Sequence, residues 1–184
     1  MDALRERHAA AVAAFDARVA AVPPDGWSRP TPCPDWTVRD LVAHLVDEQR
    51  WAPALLAGVP LPDAAPVGDP GDDPAEAWRR ASREALAAAA AADPEREVEL
   101  SYGRAPASHY LAKMTMDLVV HGWDLARALG LDEGADPDLV AAVLAWVRPR
   151  VAEWEDSGLF DPPLPVPPDA DDLTRLLALT GRRR

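Results

Sequence analysis

The stretch 114–130, MTMDLVVHGWDLARALG, constrains the fold more than any other part of the chain. It reads as a helix, and at helical spacing Asp117, His121 and Asp124 fall at i, i+4 and i+7, on one face. Met114, Leu118, Leu125 and Leu129 sit on or beside that face, so three polar groups are carried into an apolar interior. A buried carboxylate without a partner is costly. Two compensations are open. One is an Asp–His hydrogen bond that only holds the core together; the other is a divalent ion chelated by a carboxylate and an imidazole one turn apart. Either way, the rest of the chain has to be arranged around this helix.

The flanking segments supply partners for it. Residues 2–22 keep a helical apolar period through Leu4, His8, Val12, Phe15, Val19 and Val22 until Pro23-Pro24 stops it. His8 thus lies in an apolar stripe, where a satisfied core histidine is commoner than a ligand. The proline-locked connector 23–36 carries Trp27 and Trp36, suited to plug a bundle end or roof a pocket. Its Cys33 reads as a small buried hydrophobe; a nucleophilic thiol would need a nearby cation, with Arg29 or Arg39 as candidates. Thr37 and Asp40 resemble a capping box for a second helix, apolar through Val38, Leu41, Val42, Leu45, Val46, Leu55 and Leu56 and ended by Gly58. His44 lies on its inward side, a third candidate ligand. Glu48 could orient the His44 ring, although a solvated charged face is the commoner role for it.

Residues 58–73 are rich in Pro, Asp and Gly without periodicity and predict a surface loop, long enough to serve as a lid. Asp73-Pro74 caps a third helix that runs to about Ala92 with Trp78 and Leu86. Val98, Leu100 and Tyr102 alternate ahead of Gly103, predicting a short extended segment over 95–105. Pro106 opens the fourth helix and Gly130 closes it; His109, near its start, reads as a surface or rim residue. Asp136-Pro137 starts a fifth helix to about Asp156, with Val140, Val143, Val147, Val151 and Trp154 inward and a kink at Pro149. A proline-rich strap, a short helix from Leu173 to Leu179 and a frayed basic tail complete the pattern. The expected architecture is all-α: a four-helix bundle with additional C-terminal helices and a short extended segment, in a single domain spanning 1–184.

Composition narrows the function. A formal charge of −12 argues against nucleic acid or an anionic membrane surface as partner, since both demand a basic patch. There is no apolar run of spanning length and no signal-peptide pattern, so a cytoplasmic protein is expected. The single cysteine excludes an internal disulfide framework and any cysteine-cluster zinc site.

The runs PTPCPDWTVRDLVAHLV (30–46), DLVVHGWDLARALG (117–130) and LLALTGR (176–182) resemble the actinobacterial metal-binding branch of the DinB-like superfamily, which includes the N-terminal domain of mycothiol-dependent maleylpyruvate isomerase. The resemblance covers nearly the whole chain. It implies a four-helix bundle holding a divalent metal, usually zinc, through a histidine on the second helix and a pair four residues apart on a later one. Those positions match His44, Asp117 and His121. Asp117 stands where many members carry histidine. The isomerase also uses a C-terminal domain in its active site, and this chain has no length for one, so isomerase activity is not carried over.

Two imidazoles and a carboxylate leave a coordination position open, as catalytic sites do. Zinc is the expected ion, with Fe(II) or Ni(II) equally at home in such a set. Asp124 is the candidate catalytic residue, placed to orient a ligand or activate a bound water; the plainer alternative is helix capping or a salt bridge to Arg127. The expected function is that of a zinc-dependent transferase or isomerase acting with a small thiol, mycothiol being implied by the resemblance alone. The alternatives are a metal-containing small-molecule binding module without turnover, and a purely structural role in which the polar residues pin bundle register. A homodimer is left open.

Overall fold

The structure is a computed structural model and describes residues 1–59, 68–100, 103–154 and 161–184, with the side chains of residues 153 and 154 excepted. Tyr102, the side chain of Trp154 expected to face inward, the expected helix end at Asp156 and the middle of the long loop lie outside the described residues.

Four long helices form the bundle: α1 (Asp2–Ala20), α2 (Val38–Leu56), α3 (Pro74–Ala91) and α4 (Ala107–Leu129). They pack as a closed ring in which α1 touches α4 and α3, and α2 touches the same two. Each start is set by sequence. The Thr37 hydroxyl accepts from the Asp40 N–H while the Asp40 carboxylate accepts from the Thr37 N–H, the expected capping box. Asp73 caps α3 by accepting from the Glu76 N–H, with Pro74 in the first turn. The alanines of α3 let it approach α2 closely, and Gly122 does the same for α4 and α1. A methyl group at Gly122 would meet Arg18 at 3.4 Å and Phe15 at 3.8 Å.

The expected extended segment is an antiparallel pair, β1 (Glu97–Leu100) and β2 (Gly103–Pro106), with Val98 opposite Ala105. Beyond α4, α5 (Pro137–Val147) packs on α4 and α1. Pro149 does more than kink it: Arg148–Arg150 tighten into a 3₁₀ turn before α6 (Val151–Trp154), because proline removes a helical donor and crowds the preceding turn. The last helix, α7 (Asp172–Leu179), is capped by Asp171 and lies on α5.

The basic tail differs from expectation, because it is docked rather than frayed. Gly181 at φ 80° lets the chain reverse, so that its N–H donates to the Ala178 carbonyl and the Arg182 N–H donates to the Leu177 carbonyl. This Schellman ending satisfies two carbonyls and turns Arg182 inward. Any side chain at Gly181 would collide with Asp161.

The apolar interior divides in two. The larger part gathers Phe15, Leu41, Leu45, Trp78, Leu118 and Leu125, with Phe15 edge-on to Trp78 at 4.6 Å. A smaller part surrounds Leu55, Leu56, Tyr110, Leu111 and Met114.

Candidate functional site

A cavity of about 680 Å³ opens where the connector before α2, the middle of α4 and the tail after α7 meet. Trp36, His44, Glu48, Lys113, Asp117 and His121 line it. The connector is rigid because it closes on itself: the Thr31 N–H donates to the Trp36 carbonyl, the Trp36 N–H to the Cys33 carbonyl, and Pro30 bridges Thr37. Asp35 takes the left-handed conformation at φ 64°, which tightens the turn that follows Pro34 and closes between Cys33 and Trp36. The Trp36 ring stacks on His121 at 5.9 Å and tilts against His44 at 5.1 Å.

α2 and α4 each contribute an i, i+4 pair. His44 and Glu48 project from α2, Lys113 and Asp117 from α4. Ligand-capable atoms of His44, Glu48 and Asp117 lie within 4.8 Å of one another, and the His44 and His121 rings are 5.2 Å apart. Lys113 donates to Asp117 at 3.2 Å and to Glu48 at 3.5 Å. Burial favours the neutral form of both carboxyls. At Asp117 the Lys113 and histidine charges win and hold the pKa below the usual range, whereas Glu48 is pushed up. Burial, with the His121 charge adding to it, pushes His44 down to about 4, so its imidazole is neutral and its lone pair available.

Beneath this layer lies a second. His121 Nδ1 donates to Asp124 at 3.0 Å, and Asp124, with 0% exposure, also accepts from Cys33 Sγ at 3.3 Å and from Arg182 Nη2 at 3.1 Å. Burial resists charge on His121, but the bonds to Asp124 and Cys33 and the charges of Asp124 and Asp117 outweigh it, pushing the ring up to about 9. Burial likewise resists charge on Asp124; His121 and Arg182 overcome it and lower its pKa. Cys33 Sγ lies 3.8 Å from His121 Nδ1 and 3.5 Å from Arg182 Nη2.

The three expected ligands therefore come together at one cavity, with His121 held by a carboxylate on its far nitrogen. Asp124 does not line the cavity; it lies under His121 and touches the cavity through that ring. Its arginine is Arg182, since Arg127 pairs with Glu133 at 2.9 Å. His8 is buried away from the site, donating to or accepting from the Thr115 hydroxyl at 3.2 Å.

Residues 8–126 match the family described as the mycothiol maleylpyruvate isomerase N-terminal domain. Two uncharacterized proteins of Mycobacterium tuberculosis, from two strains, are each 34% identical to the chain over 184 residues, covering 95% of it and 97% of their own length. The chain belongs to this family. The fold is also that of a crystal structure of a histidine-to-alanine mutant of mycothiol-dependent maleylpyruvate isomerase. That match has a TM-score of 0.65 at 16% identity and covers 84% of this chain and 72% of the other.

Within this member of the mycothiol maleylpyruvate isomerase N-terminal domain family, two cavity residues escaped the reading of the sequence, and a third, Glu48, was offered to the His44 ring but given first to a solvated face. Glu48 is buried rather than on a solvated face. Its spacing from His44, matching that of Lys113 from Asp117, was the available signal. Lys113, the one lysine of the chain, sits a turn before Asp117 and was legible by the same rule. Arg182 had no local signal, because nothing near it in sequence says that the tail returns to α4. It supplies the cation near Cys33; the two expected sources are engaged elsewhere, Arg29 with Asp25 and Arg39 with Asp69.

Proposed function

We propose that the cavity is a divalent-metal site, zinc above all, at which a small thiol such as mycothiol is bound and activated for group transfer or isomerisation, within one cytoplasmic helical-bundle domain. The observation that carries this is the hydrogen bond from His121 Nδ1 to the wholly buried Asp124, which orients the ring and leaves Nε2 as the atom for an ion, whose binding would displace the proton that a ring held up at about 9 carries there at neutral pH. His44, neutral in this setting, and the Asp117 oxygen not bonded to Lys113 complete a set of two imidazoles and one carboxylate. Glu48 is near enough to join them. The donor chemistry fits zinc, iron(II) or nickel(II). A bound ion of this kind keeps a coordinating thiol deprotonated at neutral pH.

The chain's own residues do the rest. Arg182 and Asp124 hold the His121 ring, and Trp36 packs against both imidazoles. Lys113 balances the two carboxylates, and Arg127 and Arg183 at the rim favour an anionic or polar ligand. Asp124 acts as a positioning residue, because it reaches the cavity through the side chains it bonds, His121, Cys33 and Arg182. The family resemblance and the mycothiol-dependent relative support a thiol as the ligand.

A second reading, a binding module without turnover, is favoured by Lys113. Its ammonium already lies 3.2 Å from Asp117, where an incoming cation would gain most. Metal analysis of the purified protein, followed by calorimetric titration with mycothiol with and without the ion, tests both. Stoichiometric zinc and thiol binding that depends on it support the first reading. Thiol binding that is equally tight after chelation supports the second.

A further inference from the structure

On the opposite side of α4 from the site just described, a cavity of about 550 Å³ lies between α1, α4 and the α5–3₁₀ corner. Its volume is within the ordinary range for small-molecule sites, roughly 300–1,000 Å³. The charge of its walls is the reverse of the charge of the chain. The protein carries 31 acidic residues against 19 basic ones, yet the cavity is lined by two arginines, Arg7 and Arg150, and by no carboxylate among the described residues.

Neither arginine is neutralised by an ion pair among the described residues. Arg150 is held in place all the same. Its guanidinium lies over the Trp146 ring at 4.5 Å, and Nη1 donates to the Trp146 carbonyl, which leaves its other nitrogens with donors to spare. Arg7 reaches the rim from α1. The same cavity carries aromatic and aliphatic side chains. His109 and Trp146 meet edge to face at 5.3 Å, and Leu4 and Val143 continue the surface. A positioned guanidinium beside an aromatic wall is the arrangement that receives a planar acid: a bidentate carboxylate contact at one end and ring packing at the other.

We propose that this cavity is a second ligand site, separate from the His121 centre, that takes a small aromatic carboxylate. Its chemistry needs no metal. The carboxylate is received by Arg150 and Arg7, and the ring packs on Trp146 and His109.

The probe is benzoate, with benzamide as its neutral isostere, titrated by calorimetry into the full chain. Amide NMR shifts then locate the bound molecule. Benzoate is expected to saturate below about 10 mM, and benzamide to bind about tenfold more weakly for want of the charge-assisted pair. Arg7→Glu and Trp146→Leu should each weaken benzoate about tenfold, with shifts confined to the α1–α4–α5 corner. Arg183→Glu, at the rim of the other cavity, should leave it unchanged. Arg7 is exposed, so its variant tests the site without disturbing the core. The proposal is overturned by any of three results: no saturation, benzamide binding as tightly as benzoate, or affinity that falls with Arg183→Glu and not with Arg7→Glu.

Discussion

His8 on α1 and His121 on α4 are buried to nearly the same degree, 1% and 7% exposed, and burial alone drives any imidazole toward neutrality. Their surroundings send them opposite ways. His8 meets only the Thr115 hydroxyl, its Nε2 finds no partner among the described residues, and burial takes its pKa down to about 4. His121 is bonded to a carboxylate that is itself clamped by an arginine, and it rises to about 9. What separates the two histidines is therefore the company on the ring nitrogens, and depth in the bundle says little about it.

The sharpest way to break that contrast is to remove each ring. Replacing His121 with Ala should lower zinc affinity by more than about 100-fold, read by competition with a chromophoric chelator, whereas His8→Leu should leave it unchanged. If both variants keep the ion, the metal reading of the cavity is wrong. The next largest effect concerns the clamp. Arg182→Met leaves the buried Asp124 with His121 as its remaining cation among the described residues and should cost about 3 kcal/mol in urea unfolding. A loss below 1 kcal/mol would mean that the tail contributes little to holding His121.

The acid limb of stability comes from His8 together with His44, both of which burial takes down to about 4. The folded pKa of each lies below its unfolded value, so between pH 6.5 and about 4 the unfolded chain binds the extra protons. The stability associated with the neutral His8 ring is complete above 6.5, declines as pH falls, and is gone near 4, a change of at most about 3 kcal/mol. Urea midpoints measured across that window should fall in the wild type and fall less steeply in His8→Leu, with His44 supplying the remainder. A slope unchanged by the substitution would assign the acid limb to other groups. The smallest effect calibrates the rest. Arg80 and Glu84 form an i, i+4 pair in solvent, and Arg80→Ala should shift stability by no more than about 0.5 kcal/mol.

The same contrast shows what a sequence can disclose. Helix periods, capping residues and proline–glycine punctuation are local, so α1 to α4 and α7 were readable to within a few residues, and the all-α bundle with them, whereas only the start of α5 was, since Pro149 breaks the helix that was expected to continue. His44, Asp117 and His121 were readable because their spacing places them on inward faces. The long-range half of the site was not. Arg182 and Cys33 are 149 positions apart and meet only because a glycine reverses the chain after α7. His8 and His121 also look alike in sequence, each in an apolar stripe; the carboxylate three residues after His121 was the one local clue to their different fates.

The Gly181 reversal also bears on the order in which the protein is made. Residues 181–184 leave the ribosome after the seven described helices, yet Arg182 is one of the two cations beside Asp124. All four bundle helices can pack while that carboxylate has His121 alone as its counter-charge, since local helix contacts form faster than distant ones. During synthesis the nascent bundle thus holds its central carboxylate by one cation in place of two. Closure by the turn after α7 then completes the clamp, adding to an already formed helical shape the partner that reaches Asp124 from 58 residues away.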